Sequence, residues 1–357
     1  MGKKGSSEEP RLIILSQGQN DAIRQEDEPD RFETMASMLE AGGIRARYEG
    51  VRSQKEFRYI ICQDTPDMVF SSFFRLDGGI GPGFYLREAL INDCVAWVGS
   101  RSETLELALS KPRIKALWRL YGIATPEWTV IRKNDDGSIS GLESIEGLRA
   151  FPYIVKPARE GNSRGIDANS VVYSPLELYA RATLIAEEYD EALIERFVGG
   201  KSDSREFTVA LIGNGHNSIV SAVEIRKSRA GSMVITEADK EQHRTMAVPI
   251  EDIRLKEKVE RLARRIFASA DVRDYARCDI LQHEGHLYAL ELNGQPMVPD
   301  LWFEACASAA GLDTRQYLNA IILAAIVGNA RTGHAFIPIP RDMERILPRL
   351  AYEKIAG

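Results

Sequence analysis

The sequence predicts an α/β protein that turns to α+β organisation in its C-terminal part. Three observations carry this. The first hundred residues alternate short apolar strands with helical segments, the order that builds a parallel sheet. A buried-type strand at 151–156 runs into a glycine-framed loop. Residues 274–297, DYARCDILQHEGHLYALELNGQPM, read as two short strands joined at His283-Glu284-Gly285-His286.

Composition bounds the function. A chain of 357 residues holds two or three units with sizeable cores. With 44% apolar and 27% charged residues it matches ordinary globular proteins. A net charge of −6 and a pI near 5.6, without a basic block, argue against nucleic acid as a partner. Cys62, Cys94, Cys278 and Cys306 are widely spaced, with no CxxC and no secretory signal, which predicts reduced thiols in a cytoplasmic protein. No run of 18 apolar residues appears, so no membrane partner is expected.

Residues 1–10 read as a flexible leader, although Gly2 and Ser6 formally fit a myristoylation pattern. Residues 11–100 form an α/β unit. Its strands are Leu12-Ile13-Ile14-Leu15, 67–72 and 96–98; its helices cover 29–42 and 86–90, and glycine-rich residues 78–83 lie between. Residues 101–190 form a central unit, opened by one helix over 102–121 that stops at Gly122 and carrying a surface turn at 134–138. Residues 191–340 form a C-terminal unit with strands at 193–198 and 206–212, then a helix at 255–270 with Val259, Leu262, Ile266 and Phe267 on one face. The hairpin and two apolar helices around 302–310 and 317–326 complete it, and 341–357 is a tail.

The hairpin carries the chemistry. Centred on Gly285, it sets Arg277 opposite Asn293 and Asp279 opposite Glu291 on one face, with Cys278, Ile280, Leu290 and Leu292 on the other. A one-residue slip would mix the two sets. Two facing carboxylates cost stability unless a cation lies between them. With an amide oxygen beside them they are hard ligands suited to Mg2+ on nucleotide phosphates. The plain alternative is a solvated amphipathic hairpin. Upstream, Lys156 ends its strand before Pro157-Ala158-Arg159-Glu160-Gly161-Asn162-Ser163-Arg164-Gly165. Successive N–H groups around Ser163, with a nearby ammonium, make an anion cradle. It is not a Walker A loop, because the lysine precedes the glycines.

These motifs, with Leu193-Ile194-Glu195-Arg196-Phe197-Val198 and Arg205-Glu206-Phe207-Thr208-Val209 between them, resemble the ATP-grasp superfamily, and within it the D-alanine–D-alanine ligase branch. The resemblance runs from about Val98 to Gly311 and includes Leu109-Ser110-Lys111-Pro112 on a helix. It implies an ATP-grasp fold behind a Rossmann-like N-terminal unit. ATP and Mg2+ (or Mn2+) are the implied cofactors, and a small-molecule carboxylate and an amine the substrates. Lys111 and Lys156 would contact phosphates. The backbone of Arg196, Phe197 and Val198 would grip adenine beside Glu195, and Glu206 would bind ribose. Asp279, Glu291 and Asn293 would hold the metal. Arg277 would face the reacting carbonyl, or serve as a structural salt bridge to a neighbouring acid. Lys240 falls where related ligases place a flap lysine, with Arg226, Lys227 and Arg229 as competitors. Dimers through the N-terminal unit are common in that branch, which leaves a homodimer open.

Departures limit the substrate. Ser16-Gln17-Gly18-Gln19-Asn20-Asp21 lacks the branch's early Glu, Glu241 follows Lys240 where a tyrosine is usual, and 294–301 lacks its proline-glycine turn and serine. The implied activity is carboxylate–amine ligation through an acyl phosphate on a substrate other than D-alanine. A D-alanine–D-alanine or D-lactate ligase and a non-catalytic ATP-binding regulatory protein are the alternatives. Trp302 and Phe303 read either as acceptor pocket or as core. Arg75 and Asp77 read as cleft residues or a loop salt bridge, and His283 and His286 as solvated turn residues.

Overall fold

The computed structural model describes residues 9–17, 28–76, 84–161, 163–199, 204–227, 245–341 and 343, and the elements below are those found among them. The N-terminal sheet is parallel, in the order Arg45–Val51, Arg11–Gln17, Met68–Ser71, Ala96–Trp97. The unbroken apolar run from Leu12 to Leu15 follows from cover on both faces. Leu12 and Ile14 share a core with Phe32, Met35 and Leu39 of the helix Glu28–Glu40. Ile13 and Leu15 face Phe57 and Ile61 of the helix Gln54–Asp64, which the Ser53 hydroxyl caps by accepting from the Glu56 N–H at 3.2 Å.

The single helix expected over 102–121 is two helices, Ser102–Leu109 and Lys111–Leu120, with Ser110 extended between them. Pro112 explains the break, since in a continuous helix its ring would meet the Ala108 carbonyl. Lys111 is thereby placed at a helix start, where its N–H donates to the Ala158 carbonyl at 3.0 Å.

The central sheet is antiparallel, in the order Val171–Val172, Tyr153–Pro157, Glu191–Arg196, Trp128–Lys133, Ile139–Ser140. The helix Pro175–Tyr189, capped by Ser174, covers one face with Leu178, Ala182 and Ile185 against Val155, Ala192 and Ile194. The sequence reading puts the strand Glu191–Arg196 at the head of the C-terminal unit; it is the middle strand of the central sheet instead. An apolar run reports burial but does not name the strands that it pairs with.

The C-terminal sheet runs Thr245–Pro249, Ile219–Lys227, Arg205–Ile212, Tyr275–His283, His286–Asn293. The helix Ile253–Ser269 packs Val259, Ile266 and Phe267 on one face. Over the other lie the helices Leu301–Ala309 and Thr314–Arg331. The second of these is buried along most of its length because it shares one core with both Ile14 of the N-terminal sheet and Val223 of the C-terminal one. The hairpin base is tied to the N-terminal unit: Asp274 accepts the Gly99 N–H and the Asn214 side-chain amide, each at 2.8 Å. No described helix is long and apolar enough to cross a membrane.

Candidate active site

The hairpin has the expected register at its open end. Arg277 lies opposite Asn293, Cys278 opposite Leu292 and Asp279 opposite Glu291. Cys278, Ile280 and Leu292 are buried against the helix Ile253–Ser269. Leu290 departs from the expected core face. The turn takes two residues, Glu284 and Gly285, both with positive φ, so Ile280 pairs with Ala289. A bulge then restores the register at the site, leaving Leu290 half-buried and Ala289 in the core. His283 also departs: its ring is largely covered and its Nδ1 lies 3.0 Å from Ser204 Oγ, while His286 is exposed as expected.

Each of the facing carboxylates has its own cation, brought from a different place. Glu291 Oε1 lies 3.4 Å from the Nζ of buried Lys111, which also donates to the Glu160 carbonyl. Asp279 Oδ1 accepts from Thr208 Oγ1 at 2.8 Å and lies 3.8 Å from Arg277 Nε. Arg277 Nη1 donates to Asp300 Oδ2 at 3.1 Å, while its Nε is buried and makes no hydrogen bond among the described residues. Burial opposes the charge on Arg277, but Asp279 and Asp300 outweigh it and raise its pKa above the ordinary arginine value. Arg277 is therefore held between two carboxylates, with its Nε toward Asp279 and its Nη1 toward Asp300.

Asn293 Oδ1 accepts the Gln295 N–H at 3.2 Å. The described residues hold no group of three or more His, Cys, Asp or Glu that could bind a metal. The candidate centre is thus two carboxylates and one amide oxygen on one sheet face, a donor set that fits Mg2+.

Across the cleft the structure adds to the reading of Glu195. Its buried carboxylate is held by Lys115 Nζ at 2.9 Å and Lys156 Nζ at 3.4 Å, so it serves two lysines. Burial pulls its pKa up, yet the two ammonium groups outweigh that and hold it below the usual carboxylate range. The N–H groups of Arg196 and Phe197 donate to the Glu127 and Pro152 carbonyls, so neither is open to a purine edge. Val198 and Glu206 are half-buried. Glu206 lies two residues from Thr208, which pairs with Asp279, and shares that face. Ser163 is half-buried with φ +63°, and turns at Gly161→Arg164 and Ser163→Ile166 close the loop around it.

Other candidates resolve plainly. Arg226 pairs with Glu224 at 3.2 Å, while Lys240, Arg229, Asp77 and 18–21 lie outside the described residues. Phe303 is core, its ring edge-on to Tyr275 and tilted against Tyr317, and Trp302 is half-buried. Arg75 makes a salt bridge to Glu106 at 3.4 Å. Lys115 and Thr208 went unread. Lys115 lies four residues after Lys111 on one helix, so it shares that helix face, and this spacing was available. Nothing local marks Thr208.

A sequence-family model described as the D-ala D-ala ligase C-terminus matches residues 117–323. That span contains every candidate named above from Lys156 to Asn293. A D-alanine–D-alanine ligase of Chromohalobacter salexigens is 30% identical over 256 residues, covering 70% of this chain and 74% of that protein. D-alanine–D-alanine ligase A of Bacillus cereus is 25% identical over 278 residues, covering 77% and 87%. An uncharacterized protein of Sinorhizobium fredii is 29% identical over 235 residues, covering 64% and 66%. Among solved structures, a Bacillus anthracis D-alanine–D-alanine ligase complexed with ATP aligns with TM-score 0.65 and 20% identity over 91% of this chain and all of that one. The D-Ala:D-Ser ligase VanG of Enterococcus faecalis aligns at 0.65 and 19% over 89% of this chain and all of that one. The chain belongs to the D-alanine–D-alanine ligase family of the ATP-grasp superfamily.

Proposed function

We propose that the protein joins a small carboxylic acid to an amine at the cost of ATP, with an amino acid or small peptide other than D-alanine as substrate. The carboxylate attacks the γ-phosphate, giving an acyl phosphate and ADP. The amine then attacks the acyl carbon and phosphate leaves. Lys111 and Lys156 bring positive charge to the phosphates, with the Ser163 loop as their cradle. Glu206 shares the site face with Thr208 and binds ribose, and Val198 lies at the adenine edge. Asp279, Glu291 and Asn293 hold Mg2+, which supplies charge neutralisation at the phosphates. The Arg277 guanidinium, fixed between Asp279 and Asp300, supplies positive charge to the oxyanion of the second step. Lys240 enters from the sequence alone, as a flap residue that keeps water from the acyl phosphate.

One observation carries the reading: Lys111 meets Glu291, while Arg277 lies between Asp279 and Asp300, so cations and metal-binding acids converge at one point. Asp300 supports the substrate part. It holds a carboxylate 3.1 Å from the arginine of the reaction centre. An acceptor carrying its own carboxylate there, as free D-alanine does, meets like charge.

The test is ADP release from ATP against a panel of amino acids, with and without amines. ADP formed only when an acid other than D-alanine is paired with an amine supports the proposal. D-alanine alone driving ADP release would make the protein a D-alanine–D-alanine ligase. No ADP with any acid would leave a nucleotide-binding protein.

A further inference from the structure

The ligation scheme gives no role to Lys115, yet it is one of the most enclosed charges in the protein. Its side chain is 0% exposed. Its Nζ lies 2.9 Å from Glu195 Oε2 and donates to Thr125 Oγ1 at 2.6 Å; Thr125 in turn donates to the Ala289 carbonyl at 2.8 Å. Lys156 reaches the same Glu195 oxygen at the longer distance of 3.4 Å. Two ammonium groups therefore share one carboxylate, and the trio carries a net charge of about +1. The unshared charge belongs with Lys156, because Lys115 is enclosed by Thr125 and the Trp118 ring.

We infer that Lys115 is a positioning residue that occupies Glu195, so that Lys156 stays available to an ATP phosphate rather than being consumed in a closed ion pair. The inference rests on Lys156 being a phosphate-contacting lysine. The same helix face that puts Lys111 on Glu291 puts Lys115 on Glu195, so one short helix sets the charge on both walls of the cleft. Without Lys115, Glu195 and Lys156 neutralise each other, and a buried one-to-one pair gives up its partner reluctantly.

The experiment is calorimetric binding of ATP with Mg2+ to the full chain, which needs no knowledge of the acid or amine. Lys115→Met weakens ATP by about tenfold to a hundredfold, the size of one lost contact to a charged group. Adding Glu195→Gln to that variant returns affinity toward the wild type, since Lys156 no longer has a carboxylate to pair with. Lys115→Arg, which keeps the charge, holds affinity near the wild type.

A purely structural Lys115 would give a double variant that binds ATP no better than Lys115→Met, and that result overturns the inference, as does unchanged affinity in Lys115→Met. If Lys115→Met does not fold, the double variant, which removes cation and anion together, is compared directly with Lys156→Met. Affinity near the wild type supports the inference, and affinity as weak as Lys156→Met overturns it. Unchanged affinity in Lys156→Met instead overturns the phosphate role beneath it, and the inference falls with that role.

Discussion

The hairpin from Tyr275 to Asn293 and the short segment that leaves it, residues 294–300, carry the two halves of the proposed site, and they are held by different means. The hairpin is held locally. Its register sets Asp279 against Glu291 through adjacent backbone pairing, and its other face is cemented by Cys278, Ile280 and Leu292. The exit segment is held by distant partners. The Gln295 side chain donates to the Ser71 carbonyl in the N-terminal unit, and Asp300 reaches back to Arg277. Local pairing fixes the facing carboxylates, while the exit segment is fixed through its own side chains, Gln295 and Asp300, and can be rewritten without disturbing them. That division matches the resemblance read from the sequence, in which Asp279, Glu291 and Asn293 fit the branch's ligand pattern and 294–301 departs from it.

The largest expected effect tests the reaction end. Arg277→Ala should lower turnover by about a hundredfold to a thousandfold, the usual loss for one oxyanion donor, measured as the rate of ADP release at saturating substrates. Retained turnover would leave Arg277 as no more than the partner of Asp300. The hairpin's core face should answer differently. Ile280→Ala should cost about 2–5 kcal/mol of stability in chemical denaturation, with the ATP affinity of the folded protein preserved. A loss of affinity without a loss of stability would show that the two faces are not separable.

Glu291→Gln keeps the shape and removes a charge. It should raise the Mg2+ requirement by about 10–100-fold, comparable with other losses around metal sites, and added Mg2+ should recover part of the turnover. Full turnover at limiting Mg2+ would remove Glu291 from the metal set. The smallest effect belongs to the exit segment. Asp300→Asn should lower KM for acceptors that carry a free carboxylate by up to about tenfold and leave KM for neutral acceptors in place. Equal changes for both would mean that Asp300 acts only by orienting Arg277.

The periodicity of two made Arg277, Asp279, Glu291 and Asn293 legible as one face, because alternation along a strand is a local property. It was not enough for Leu290, since a positive-φ two-residue turn and a compensating bulge leave the same apolar pattern as a longer turn. Glu195 shows the second limit. Its place in the motif order was readable, but its engagement by Lys115 was not, because Lys115 and Glu195 lie on a helix and a strand separated by most of the central unit.

By itself, then, the sequence determined the α/β class, the register at the open end of the hairpin and the types of group the site would contain. Each of these depends on spacings of a few residues. The tertiary structure alone decided that Lys111 would meet Glu291, that Lys115 and Lys156 would share Glu195, and that Arg277 would also reach Asp300. The physical reason is that most of these pairings bridge separate elements. Connections of this length set no distance between their ends, so only the packed cores decide which charges come within reach.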